Sequence, residues 1–137
     1  MKKQRRNERK SIDVKNTSMQ PEISLLVLKT RQLQLLVDFY STLGLSFQEE
    51  KHGSGPTHFS CSIGKFVLEI YPLPKSVAVA DSTTRLGFSV NNLDEIIKKL
   101  KDNNSQIVSE PVNNEWGYSA IVKDPDGRSI ELKDDAF

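Results

Sequence analysis

The chain holds one cysteine, Cys61, in 137 residues. A single thiol excludes an internal disulfide and a zinc cluster built from thiolates. Cys61 stands in a strand-like run, which points to a buried structural thiol rather than a nucleophile. Cysteine this scarce fits a reducing cytoplasm. Histidine is nearly as rare, with His52 and His58 the two present. Apolar runs stay short. Leu25–Leu28, within Ile23–Leu28, is far below the roughly 20 residues of a membrane span. No glycine-rich phosphate loop and no Ser-His-Asp arrangement is readable, so neither nucleotide binding of that kind nor triad hydrolysis finds support. The first residues also lack the apolar segment of roughly 7–15 residues that a secretory signal carries.

A large net charge is missing as well, but the balance of +1 hides an uneven distribution. Residues 1–20 contain Lys2, Lys3, Arg5, Arg6, Arg9, Lys10 and Lys15 against Glu8 and Asp13. Seven basic less two acidic residues is +5, which leaves −4 for the rest of the chain. A basic head on an acidic body reads as a solvated tail over residues 1–20. The acidic body argues against nucleic-acid binding by the domain itself. Met19 offers a second candidate start just ahead of the domain.

The chain as a whole has the 36% hydrophobic and 27% charged content of a globular protein, and what remains, residues 21–137, reads as one domain. It contains a weak internal repeat. Ile23–Leu28 is followed by a polar step and by Leu33, Leu36, Phe39 and Tyr40 at helical spacing. Leu86–Val90 is followed by Asn91–Asn92 and by Leu93, Ile96, Ile97 and Leu100. Thr30 and Asn91 or Asn92 are candidate N-caps, with Glu95 in the second helix's first turn. Gly44 and Asn103–Asn104 supply left-handed stops.

Three strand candidates follow each helix. They are Ser46–Lys51, Thr57–Ile63 and Phe66–Tyr71, then Gln106–Ser109, Tyr118–Lys123 and Ser129–Lys133. Asp124-Pro125-Asp126-Gly127 suits a type I turn with a bulge. The units are 22–73 and 84–135, joined by a linker over 74–83. The expectation is an α+β fold in which two pseudo-symmetric β-α-β-β-β units form a curved eight-stranded mixed sheet with helices outside and a central cleft.

Superposing the units pairs Leu25 with Arg85 and Glu69 with Glu131. Strand alternation puts Leu68 and Ile70 on one face and Val67, Glu69 and Tyr71 on the other; Ile130 and Leu132 oppose Glu131 in the same way. A carboxylate in an apolar strand is costly unless it is hydrated, paired or metal-bound. Glu69 and Glu131 are therefore candidates to share one cavity, the alternative being two solvent-facing strand residues.

These segments resemble the vicinal oxygen chelate superfamily, which includes glyoxalase I, bleomycin-resistance proteins, fosfomycin-resistance enzymes and extradiol dioxygenases. The likeness covers roughly residues 22–135. It rests on Asp38-Phe39-Tyr40 with Leu43-Gly44-Leu45, on Val67-Leu68-Glu69, on Trp116-Gly117-Tyr118, and on Asp124-Pro125-Asp126-Gly127 ahead of Ile130-Glu131-Leu132. The resemblance implies four metal-ligand positions, which fall on Leu25, Glu69, Arg85 and Glu131. Leu25 has no lone pair to offer, and the Arg85 guanidinium cannot become a ligand. The resemblance therefore implies ligand binding in the cleft without the full metal site and with no cofactor favoured. Arg85 would pair with a glutamate or take an anionic ligand through its fork of donors. If a divalent metal binds, Glu69 and Glu131 are its ligands.

Trp116 and Tyr118 are expected beside the cleft as aromatic walls. For Trp116 a core cap or a dimer contact is equally open. His58 faces the cleft from the third strand or plays a surface or cross-strand part. Two functions follow. One is a bleomycin-resistance-like small-molecule binder, homodimeric as family members commonly are. The other is a divergent lyase, isomerase or dioxygenase using Glu69 and Glu131 as catalytic carboxylates. A regulatory module working through its tail is the weakest reading.

Overall fold

The structure, a computed structural model, describes residues 20–136. The basic tail and Met19 lie outside the described residues. Strand β1 (Leu25–Thr30) leads into helix α1 (Leu33–Thr42), then β2 (Gln48–Glu50), β3 (His58–Ile63) and β4 (Phe66–Pro72). After the linker come β5 (Leu86–Val90), helix α2 (Leu93–Asp102), β6 (Ile107–Asn114), β7 (Gly117–Lys123) and β8 (Ser129–Asp134).

The repeat expected from sequence is present twice over. The sheets have orders β1-β4-β3-β2 and β5-β8-β7-β6, the same topology once β5–β8 are matched to β1–β4. In each, the first strand runs parallel to the last, with the helix as crossover. Register makes the correspondence residue by residue: Val27 sits opposite Glu69, and Gly87 opposite Glu131. Leu25 and Arg85 each stand two residues earlier, so the pairing of these four positions holds.

The eight strands are hydrogen-bonded as two four-stranded sheets, not as one continuous sheet. Burial explains how the sheets meet. Leu68, Ile70, Ile130 and Leu132 are fully buried and join Leu36, Tyr40, Leu93 and Leu100 of the helices in one apolar core. The helix-facing sides of both sheets thus serve the same core, and the opposite faces turn away from it. Each such buried side chain stabilises by roughly 1.5–3 kcal/mol, so a shared core couples the units strongly.

A polar knot reinforces that coupling. Asp124 Oδ2 accepts from the Tyr40 hydroxyl at 2.8 Å and from Arg128 Nη1 at 3.0 Å. Arg128 Nη1 also donates to Asp126 at 3.1 Å, and its Nη2 to the Lys29 carbonyl of β1 at 3.1 Å. Arg128 and Asp124 are buried. Burial opposes the guanidinium's charge, but the Asp124 and Asp126 carboxylates more than offset this, and its pKa lies above the usual value. Burial, followed by the charge of Asp124, pushes the Tyr40 hydroxyl far up, so it remains a donor. The Asp124–Gly127 turn closes with Gly127 N donating to Asp124 O at 2.9 Å and Gly127 at φ 91°. This signature of the sequence is therefore a clamp between units.

The helix ends depart from the simple cap pattern. Asn92 stands at the N-cap of α2 but is left-handed, at φ 58°, and makes no side-chain cap. Asp134 Oδ2, from the end of β8, accepts from Leu93 N at 3.0 Å instead. Thr30 Oγ1 accepts from Gln32 N at 2.9 Å, one residue ahead of α1. Gly44 and Asn104 provide the left-handed stops, at φ 111° and 61°. Strand β6 runs past Pro111 to Asn114, beyond the expected Ser109. It is an edge strand with register shifts on either side of Ser109, the setting in which a strand tolerates proline.

Candidate functional site

Two faces are left open by the shared core. On the first sheet the open face carries Leu25 and Val27 of β1, Val67, Glu69 and Tyr71 of β4, and His58 and Ser60 of β3. On the second it carries Gly87 of β5, Glu131 of β8, and Ser119 and Ile121 of β7, with Arg85 just ahead of β5. Glu69 and Glu131 therefore occupy equivalent places on separate sheets. None of the cavities lined by the α1 C-terminus and α2, by the linker, or by the two helices has either glutamate in its wall.

Leu25 is 53% exposed, a large apolar side chain on an open face. Arg85 is exposed. Its guanidinium has no hydrogen-bond or ion-pair partner among the described residues, so neither glutamate neutralises it within the chain. The residues before it are fixed by Asp81, which accepts from Thr83 N at 3.0 Å, Thr83 Oγ1 at 2.7 Å and Thr84 N at 3.2 Å. Hydrogen bonds from Thr84 and Thr83 hold the Asp81 carboxyl well below the usual carboxylate range.

Around Glu69 the face is densely functionalised. The His58 ring stacks on Tyr71, centroids 4.1 Å apart and planes 8° apart. His58 Nε2 lies 3.3 Å from Glu50 Oε1 and 4.0 Å from Glu69 Oε2. His52 Nε2 lies 3.8 Å from the same Glu50 oxygen. His58 is buried although its strand position faces outward; its ring lies against Tyr71, near the His52 ring and the Pro56 carbonyl. Partial burial, then the charges of Glu69 and Glu50, push the Tyr71 hydroxyl up. From the sequence, Glu69 and Tyr71 share a strand face and His58 is a candidate to join them, but no motif there joins Glu50 and His52 to the group. The available signal was that both histidines follow Glu50 within eight residues, with β3 alternation placing His58 beside Glu69.

Tyr118 stands on the helix side of β7. It shares a strand face with Ala120 and Val122, both buried against the helix side, and its hydroxyl donates to Asp94 of α2 at 2.6 Å. That hydrogen bond raises the hydroxyl's pKa. Tyr118 ties β7 to α2 and does not line the open face. Trp116 stands at the tip of the β6–β7 hairpin, 39% exposed, with its backbone N held by Asn114 Oδ1 at 2.8 Å. Cys61 is buried on the core side and burial raises its thiol pKa, the condition of a structural thiol.

Residues 22–132 match the family model described as the Glyoxalase/Bleomycin resistance protein/Dioxygenase superfamily. No curated protein matches the chain. Among solved structures, an antibiotic binding protein from Streptomyces sp. CB03234 superposes with a TM-score of 0.65 at 19% identity, covering 85% of this chain and 97% of that one. A glyoxalase/bleomycin resistance protein/dioxygenase family enzyme from Burkholderia phytofirmans PsJN gives 0.62 at 18% identity, covering 82% and 97%. A hypothetical protein from S. aureus gives 0.63 at 19% identity, covering 83% and 93%. At these identities the likeness is one of fold.

Proposed function

Because the chain belongs to the Glyoxalase/Bleomycin resistance protein/Dioxygenase superfamily, we propose that it binds a small molecule on the open faces of its two sheets, without the family's four-ligand metal site. The observation that carries this reading is the set of residues at the four symmetric positions. Glu69 and Glu131 can ligate, but Leu25 cannot, and Arg85 places an unneutralised positive charge there. A cation beside it would be repelled, whereas an anion would meet a preformed fork of donors. Leu25 and Trp116 add exposed apolar surface suited to a ligand of mixed character.

The open faces of one chain point away from its own core. A second copy, laying its second sheet over the first sheet of its partner, would turn two open faces into one cleft. Leu25 at 53% exposed and Val112 at 51% are the apolar surface such a pairing would cover. The homodimer is part of the proposal. That one structural relative is described as antibiotic binding supports the ligand-binding half of the reading.

The test is a thermal-shift screen of chelator-treated protein against small anionic and aromatic compounds, since a ligand of the native state raises apparent stability. Hits that stabilise the native chain and fail to stabilise Arg85→Glu are expected. A screen without hits, or hits indifferent to Arg85→Glu, would contradict it. The second reading is a divergent lyase, isomerase or dioxygenase. It draws on the equivalent registers of Glu69 and Glu131. Unchanged turnover of a confirmed substrate in the double variant Glu69→Gln/Glu131→Gln removes it.

A further inference from the structure

The four family positions do not exhaust the ligating chemistry of the first sheet. Glu50, His52 and His58 each offer one ligand atom, and these three atoms all lie within 4.8 Å of one another. We propose that Glu50, His52 and His58 form a binding site for a zinc-class divalent cation at the β2–β3 edge, with the Glu69 carboxylate as a fourth group within reach.

The state of His58 points to a ligand. Its Nδ1 lies 3.2 Å from the Pro56 carbonyl oxygen. A carbonyl can only accept, so Nδ1 is the donor in this contact, which leaves Nε2 as the ring nitrogen that can offer a lone pair to a cation. Metal-binding histidines are commonly oriented this way, by a carbonyl on the other nitrogen. Nε2 is buried and makes no hydrogen bond among the described residues, although Glu50 Oε1 is 3.3 Å away. A buried ring nitrogen is stabilised by a well-directed partner, and a cation held between Nε2 and the Glu50 carboxylate would supply one. The Tyr71 stack fixes the ring plane, and the Pro56 contact fixes its rotation.

Spacing fits the same reading. Zinc bonds of about 2.0–2.1 Å in a tetrahedron put neighbouring ligand atoms roughly 3.3 Å apart. Glu50 Oε1 stands 3.3 Å from His58 Nε2 and 3.8 Å from His52 Nε2. A small swing of the exposed His52 closes the set. Glu69 Oε2, at 4.0 Å from His58 Nε2, can complete the shell or hold a metal-bound water. Two imidazoles with carboxylate favour zinc, cobalt or nickel over calcium or magnesium, which prefer all-oxygen shells. His52, three-quarters exposed, leaves an entry path. Among the described residues the second sheet has no counterpart. Ser119 stands where His58 does, and Val112 and Lys133 are its cross-strand neighbours.

The site stands independently of the small-molecule reading and shares only Glu69 with it. The test uses the untagged full chain, stripped with chelator and titrated with cobalt(II) and then zinc(II). The expected result is one equivalent of cobalt with the visible absorption of a tetrahedral ion, displaced by zinc. Glu50→Gln and His52→Gln should each weaken zinc at least about tenfold, while Ser119→Ala should leave it unchanged. His58→Gln should abolish the site. Because His58 is buried, Glu50→Gln and His52→Gln carry the decision, each checked for a native thermal transition. Absence of zinc binding below millimolar concentration overturns the proposal, as does binding that both of those variants leave intact.

Discussion

The two units share a frame and differ on the face that the frame leaves open. On the core side the residues are interchangeable in kind, Leu68 and Ile70 against Ile130 and Leu132, all fully buried. On the open side Glu69 is surrounded by Glu50, His58 and Tyr71, whereas the matching places around Glu131 hold Val112, Ser119 and Lys133. A core asks only for apolar side chains of compatible volume. An open face makes no such demand, so its residues can specialise. The units therefore provide one architecture and one specialised surface, and the second unit is a built-in control for the chemistry of the first.

The comparison breaks most visibly in the shared core. Leu68→Ala and Ile130→Ala, one from each unit, should each cost about 2–5 kcal/mol in chemical denaturation. Both should leave a single cooperative transition, because the two sheets bury their apolar sides in one cluster. Two resolved transitions would show that the units fold separately. The clamp comes next. Asp124→Asn leaves the buried Arg128 without its closest carboxylate and should cost about 3–5 kcal/mol. No equivalent change exists in the first unit, whose β3–β4 turn runs through Gly64 with no such network.

The frame was legible because burial and backbone conformation write themselves into periodicity. Leu93, Ile96, Ile97 and Leu100 could hardly be anything but a helix face, and Gly44 and Asn104 hold the left-handed stops expected of them. The pairing of Leu25 with Arg85 and of Glu69 with Glu131 followed from alignment, and the register carries it. What stayed hidden depends on distance. The α2 cap comes from Asp134, 41 residues from the Leu93 amide it binds. Tyr118 looked like a cleft residue by its neighbours in sequence, but the strand face it shares with Ala120 turns it to the helix. Glu50 and His52 carry no motif; the β2–β3 register brings Glu50 to His58, and the connection after β2 brings His52 there. The sequence pattern also could not show that the eight strands divide four and four.

Smaller effects sharpen the contrast further. Tyr118→Phe should cost about 0.5–1.5 kcal/mol by removing the bond to Asp94, with no change in ligand binding. Equal loss of binding would return Tyr118 to the cleft. The smallest effect lies in the linker. Asp81 has a depressed folded pKa, so the stability it adds is present above the unfolded carboxylate range near pH ~4 and fades as pH falls through the folded value. Asp81→Asn should therefore be less destabilised than the native chain by moving from neutral pH to below that range. An identical acid response in the two proteins would remove the linker from the acid-sensitive set. In solution the chain should run at twice its 15.5 kDa mass if a second copy closes the open faces.

The most direct test of the central claim is calorimetric titration of a compound from the screen into metal-stripped protein, native and Arg85→Glu side by side. The account predicts saturable binding to the stripped native chain and its loss in Arg85→Glu. Binding that appears only after metal is restored, or that Arg85→Glu leaves intact, would contradict it.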